Sequence, residues 1–277
     1  MSTSITRPRP WIKNAQAVGI AGAPGEVLAS PPSGMRPTRR SSDVGLTEYR
    51  RKRRFAVTSE PSGDEKRRRK RSRTLAFVVQ KHRATRLHYD FRLEWNGVLW
   101  SWAVPKGPSL DPSIKRLAMQ TEDHPLEYAR FEGIIPEGEY GGGTVMIWDT
   151  GTWTPDGADV DAAFAKGELK FQLAGAKLRG SWVLVRTRSS GPTAGRPAWL
   201  LIKHRDGFAS VEDIATAQPR SVVSRRTLAE IAWHEGGNVE KAARGDPPAE
   251  IRRLLANPEL VARPKRGKPA VWKSHRP

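Results

Sequence analysis

FVVQKHRATRLHYDFRLEWNGVLWSWAV, residues Phe77–Val104, holds two alternating runs on either side of Asn96-Gly97. That dipeptide is the strongest short-range hairpin signal, because both turn positions need positive φ and Asn and Gly adopt it at least cost. Before the turn, Leu87, Tyr89, Phe91, Leu93 and Trp95 share one face of a strand; after it, Val98, Trp100, Trp102 and Val104 do the same. Successive side chains of a strand point to opposite sides. His88, Asp90, Arg92 and Glu94 therefore share the other face. Two groups able to bind a metal and one guanidinium point one way, with an aromatic face behind them to fix their positions.

The 277 residues suffice for one large domain or two small ones with a real core. Lys and Arg number 48 against 29 Asp and Glu, a net charge of +19, and the pI is near 10.8. Such an excess points to a polyanionic partner, nucleic acid first, with membranes and acidic proteins as the other candidates. The absence of cysteine removes disulfides, thiolate metal sites and cysteine nucleophiles. No run approaches the roughly 18 apolar residues of a spanning helix. The stretch AQAVGIAGAPGEVLA, Ala15–Ala29, follows Arg7, Arg9 and Lys13, but glycine, proline and glutamate interrupt it as a signal-peptide core. The chain reads as cytoplasmic, without a membrane partner.

Four regions follow from composition and period. Residues 1–45, rich in Pro, Gly, Ser and Arg, have no hydrophobic period and are expected to be a disordered tail. Residues 46–73 form an arm: a short helix through Tyr49, an extended piece, then the charge run Gly63–Arg73. That run suits a solvated tail, a nuclear localisation signal or, next to a phosphate site, a DNA-backbone contact that releases counterions. Residues 74–210 are dense in short strands: after the hairpin come Arg116–His124, Thr144–Asp149, Leu169–Leu173, Ser181–Arg186 and Trp199–Lys203. Seven or more short strands with few helices predict a mainly β fold, a compact closed or nearly closed barrel, with a sandwich as the competing arrangement. Residues 211–277 change character. Thr227-Leu-Ala-Glu230 has the form of a capping box, Gly236-Gly237 would end its helix, and Asp246-Pro247 can open a second with Ile251, Leu254 and Leu255. The stretch Arg263–Pro277 is basic, with Trp272 as a candidate docking residue.

His82, His88 and Asp90 make a two-histidine, one-carboxylate set that suits manganese, iron or zinc; the alternative is a surface histidine paired with an aspartate. Gln80 shares the face of His82. In Arg116–His124 one parity collects Arg116, Gln120, Glu122 and His124. Beside Arg92, Arg116 and Lys106, His124 gains meaning, because phosphoryl chemistry needs cations at the oxygens and an acid at the leaving group. The glycine-rich turn EGEYGGG, Glu137–Gly143, either approaches a phosphate or only connects strands. It lacks the GK[ST] ending of a P-loop, and the chain has neither a GxSxG elbow nor an HExxH helix.

The stretch FVVQKHRATRLHYDFRLEWNGVLWSWAVPKGPSLDP, followed by EDHPLEYARFEGIIPEGEYGGGTVMIWDTGTW, resembles the 3′-phosphoesterase module of bacterial DNA ligase D, over about Tyr49 to Ala209. The resemblance implies a compact β-barrel with a crescent-shaped, phosphate-binding groove. It also implies manganese-dependent trimming of DNA 3′ ends: removal of a terminal ribonucleoside to leave a 3′-phosphate, then hydrolysis to a 3′-hydroxyl for non-homologous end joining. By position, His82, His88 and Asp90 match the metal ligands, and Gln80, Arg92, Lys106, Arg116, Glu122, His124 and Tyr128 match other active-site residues. The expected roles are Arg92 and the metal at the scissile phosphate, with His124 and Tyr128 stabilising or protonating the departing oxygen. Arg53 and Glu60 match substrate-side residues of the arm. There the family commonly reads Arg-Asp-Phe, whereas this chain has Arg53-Arg54-Phe55, a reversed charge that bears on the balance of nuclease and phosphatase steps. Ligase and polymerase modules are not in the 277 residues, so a stand-alone version is expected, with ligase, polymerase and end-binding proteins recruited in trans near the nucleoid. The rival readings are a non-catalytic DNA-end-binding module and an RNA-processing phosphodiesterase.

Overall fold

A computed structural model of the chain describes residues 45–64, 74–187 and 197–256. The expected N-terminal tail, nearly all of the basic run and the C-terminal stretch with Trp272 lie outside the described residues. The hairpin forms as expected: β1 (Leu75–Arg83) pairs with β2 (Leu87–Trp95), and β2 turns into β3 (Val98–Val104). Asn96 and Gly97 have φ of 48° and 83°, the left-handed region that this turn requires.

Seven further strands follow: β4 (Arg116–Gln120), β5 (His124–Pro125), β6 (Gly133–Ile135), β7 (Gly143–Pro155), β8 (Glu168–Gly175), β9 (Arg179–Arg186) and β10 (Ala198–Lys203). The antiparallel order β1-β2-β3-β4-β10-β9-β8-β7 returns to β1 through the β1–β7 pairing. That pairing makes a closed eight-stranded barrel and rules out the sandwich. Its interior holds Phe77, Val79, Tyr89, Phe91, Leu93, Trp102, Trp148, Trp182 and Trp199. A second cluster at one end joins Leu99, Tyr128, Phe131 and Val145 to Leu46 and Tyr49 of the arm, and Val98 packs there rather than in the barrel. Tyr49 sits in α1 (Thr47–Arg51), the short helix that the arm was expected to form.

One expected strand is two. Arg116–His124 breaks after Gln120 and resumes at His124, so its parity does not carry across residues 121–123. Within β4, Ala118 and Arg116 lie opposite Trp199 and Leu201, which are core residues. Directly opposed residues share a face, so Arg116 and Gln120 belong to the core side. Gln120 accepts a hydrogen bond from the indole of Trp199 at 3.0 Å.

The helices are α2 (Val160–Lys166), α3 (Ile214–Ala217), α4 (Leu228–His234), α5 (Val239–Ala243) and α6 (Pro248–Leu255). Among the described residues no helix is long and apolar enough to cross a membrane. Thr227 and Glu230 form the expected capping box of α4. Asp246 does not open α6, whose N-cap is Pro247. Its carboxylate instead accepts from the Leu228 and Ala229 amides, at 3.1 and 2.9 Å, at the start of α4. Leu228, Ile231, Ala232 and Ala242 belong to the main core, so α4 and α5 complete the barrel's packing.

Candidate metal centre

The site face of the hairpin is built from register. His82 lies opposite His88, Gln80 opposite Asp90 and Arg92 opposite Ser101. Nitrogen or oxygen atoms of His82, His88 and Asp90 all fall within 4.8 Å of one another. His82 Nδ1 is 3.6 Å and His88 Nε2 is 3.7 Å from the same oxygen, Asp90 Oδ2. The far nitrogens are engaged elsewhere: His82 Nε2 donates to the Gly141 carbonyl at 2.8 Å, and His88 Nδ1 to that of Arg86 at 3.1 Å. A carbonyl only accepts, so each far nitrogen carries the proton and each near nitrogen offers a lone pair toward Asp90. Two imidazole lone pairs and a carboxylate oxygen are a donor set that fits a divalent transition cation.

Charge keeps the carboxylate of that set ionised. Burial pushes the Asp90 carboxyl up, but the Arg92 guanidinium first, and then the neighbouring histidines, hold it well below the usual carboxylate range. For His88, burial opposes charging, and the nearby Asp90 outweighs it and raises the imidazole's pKa. Side-chain exposure is 7% for His82, 11% for Asp90 and 24% for His88, so the cluster opens to solvent on the His88 side.

Arg92 is buried and locked. It contacts Asp90 Oδ2 at 3.3 Å and donates to Gln80 Oε1 at 2.8 Å and Ser101 Oγ at 2.7 Å. Gln80 in turn donates to the Tyr128 and Phe131 carbonyls at 3.0 and 2.8 Å. Ser101 was missed in the sequence; the signal was there, since it is the one hydroxyl inside the apolar run VLWSWAV and alternates onto the site face.

A second layer joins the arm to β5. Arg53 donates to Glu60 Oε1 at 2.8 Å and Glu122 Oε1 at 3.3 Å, and lies 3.8 Å from the centre of the Tyr49 ring. Lys52 contacts Glu122 at 3.1 Å, and the Tyr128 hydroxyl donates to Glu60 at 2.9 Å. Burial first, then the Glu60 charge, raises the Tyr128 pKa well above its ordinary value, so the phenol keeps its proton. His124 Nδ1 donates to the Glu122 carbonyl at 2.9 Å, which leaves Nε2 as an acceptor for Arg53 Nη2 at 3.2 Å. Burial, then Arg92 and Arg53, pushes the imidazole well below its usual range. His124 is therefore held neutral in the free chain, with its proton on Nδ1 toward the Glu122 carbonyl and its Nε2 lone pair toward Arg53.

This has a measurable consequence. Above pH 6.5 His124 is neutral folded or unfolded; below it the unfolded chain takes up a proton that the folded one refuses. Stability then falls with pH by up to about 1.4 kcal/mol per unit until the lowered folded pKa is reached. His124→Gln is expected to flatten that slope in urea melts between pH 7 and 5; parallel curves for the two proteins would contradict the assignment.

Among the described residues neither Lys106 nor Arg116 makes a hydrogen bond or ion pair with the cluster. Lys106 is exposed beyond the end of β3. Arg116 is half-buried on the core side, its Nε buried without a hydrogen-bond partner among the described residues. Arg54, the reversed charge, is paired with Glu139 of the glycine-rich loop, and its Nε donates to Glu139 Oε2 at 3.3 Å. That carboxylate offsets the added charge locally.

The sequence that builds this site is similar to known proteins. Residues 80–186 fit the family described as the DNA ligase D 3′-phosphoesterase domain. The multifunctional non-homologous end joining protein LigD of Pseudomonas aeruginosa is 54% identical over 190 residues, 68% of this chain and 22% of that protein. The corresponding DNA repair protein LigD of Mycobacterium tuberculosis is 49% identical over 149 residues, 51% of this chain and 18% of that protein. The match thus spans about a fifth of each relative's length, 22% and 18%. The chain carries the 3′-phosphoesterase module of DNA ligase D.

Proposed function

We propose that the chain is a hydrolase of DNA 3′ ends that serves non-homologous end joining, removing terminal 3′-ribonucleosides and 3′-phosphates to leave a 3′-hydroxyl. The observation that carries this reading is the orientation of His82 and His88, whose distal N–H groups are tied to backbone carbonyls while their lone pairs face one carboxylate oxygen. His82, His88 and Asp90 would hold the cation, for which manganese is proposed. When bound, it supplies Lewis-acid charge at a phosphoryl oxygen. The chain's own groups do the rest. Arg92, fixed by Asp90, Gln80 and Ser101, presents a guanidinium that needs no reorganisation as charge develops on the phosphate. Arg53 holds His124, Glu60 of the arm and Glu122 in place behind it. The partners proposed are DNA 3′ ends, with ligase, polymerase and end-binding proteins acting on the product.

The test is a labelled DNA primer on a template, ending in one ribonucleotide or in a 3′-phosphate, incubated with manganese. The wild-type chain is expected to yield 3′-hydroxyl product, and His88→Ala to lose it by 100-fold or more (order of magnitude, about the upper end of what misplacing a metal ligand costs). Equal product from both proteins would remove the site assignment. No product from either would favour a non-catalytic end-binding role, and preference for an all-RNA primer would favour RNA processing.

A further inference from the structure

We infer that the C-terminal helices brace the candidate cation site, with Lys241 of α5 as the positioning residue that fixes the ring of His82. The inference rests on the cation reading proposed above for the site it serves. Three contacts carry it. His82 donates to the Gly141 carbonyl at 2.8 Å. The next carbonyl, that of Gly142, accepts from Lys241 Nζ at 3.2 Å. Lys241 Nζ also lies 3.8 Å from Glu137 Oε1 at the start of the same loop.

The loop needs such a tie. Gly138 and Gly141 have φ of 92° and 81°, and Gly142 packs so closely that a Cβ would lie 2.7 Å from the Pro136 carbonyl oxygen. Glycine supplies that geometry but leaves the backbone free to abandon it. The loop holds itself through the Glu139 and Gly142 amides, which donate to the Pro136 and Glu139 carbonyls at 3.2 and 2.9 Å, and neighbours outside it fix the carbonyl that aims His82. Arg54 grips the loop through Glu139 from the arm side, and Lys241 grips it from the helical side.

The brace is itself anchored. Gly237, just before α5, lies so close to Ile134 that a Cβ would sit 2.5 Å from its Cδ1. Ala242, next to Lys241, is in the main core. Lys81, the neighbour of His82 on β1, points to the opposite face and meets Asp246 at 3.8 Å, both side chains 2% exposed. The helical segment thus meets β1 at Lys81 and the loop behind His82 at Gly142. Lys241 lies outside residues 80–186, which match the phosphoesterase family.

The experiment uses the full chain and two readouts. In the metal-free protein, solvent exchange of the His82 Nε2–H proton is followed by NMR; Lys241→Met is expected to accelerate it, and Lys241→Arg to restore it. Manganese affinity, measured by calorimetric titration, is expected to weaken by about 3- to 10-fold in Lys241→Met, below the 10- to 100-fold typical of a direct ligand partner because Lys241 acts one link further away. Lys241→Leu, which likewise has no donor, serves if the Met variant does not fold. Unchanged exchange and affinity in the folded variant would overturn the brace. A wild-type chain that binds no manganese would instead strike the cation reading, while the exchange measurement would still decide the role of Lys241.

Discussion

Asp90→Asn is expected to weaken manganese binding by more than about 100-fold and to abolish 3′-end processing with it. Three groups converge on one oxygen of this side chain: His82 Nδ1 at 3.6 Å, His88 Nε2 at 3.7 Å and Arg92 Nη2 at 3.3 Å. The amide keeps the shape but removes the only negative charge among them, so Arg92 then repels an incoming cation in a buried setting. Loss of a partner one shell further out costs about 10- to 100-fold in affinity; loss of the ligand charge itself is expected to exceed that. Calorimetric titration of the folded variant, with its urea midpoint measured alongside, checks the result. An affinity within a few-fold of wild type would sink the assignment of Asp90 as a ligand.

Arg53→Met is expected to destabilise the fold by about 3–5 kcal/mol, the usual cost of removing one partner from a buried ionic network. The Arg53 side chain is 5% exposed, and its two carboxylate partners, Glu60 and Glu122, are 0% and 4% exposed. Truncation leaves both carboxylates buried with fewer donors, while Met fills most of the volume, so packing loss is a minor part. Glu60 retains Tyr128 and Thr58, and Glu122 retains Lys52, which keeps the expected loss within this range. The thermal midpoint should drop by roughly 6–20 °C for a domain of this size. A drop below about 2 °C would show that the network is solvated in solution and that the arm does not seal the site.

Arg54 shows what residue order leaves out. In the linear chain it stands where an acidic residue is expected, a reversed charge that bears on the balance of nuclease and phosphatase steps. In the fold its side chain is 72% exposed and reaches Glu139, whose own side chain is 6% exposed. The partner is 85 residues away, so no local pattern announced it.

Much of the site was nevertheless legible from residue order. Period-2 alternation places His88, Asp90 and Arg92 together because adjacent side chains of a strand must take opposite faces, and the Asn-Gly turn sets the hairpin register within two residues. The capping box of α4 was equally local, since Thr227 and Glu230 are one helical turn apart. The same reasoning failed at Arg116–His124, where parity was carried through a break that only the pairing of His124 with Leu99 reveals.

What residue order determined by itself is the face on which each strand residue lies, and hence the His-Asp-Arg grouping, because backbone sterics impose that alternation on any strand. Only the tertiary structure decided which distant groups meet that face. The β1–β7 closure, the carbonyl of Gly141 on His82, Ser101 on Arg92 and Asp246 on Lys81 and α4 depend on contacts between segments far apart in the chain, fixed by how the whole barrel packs.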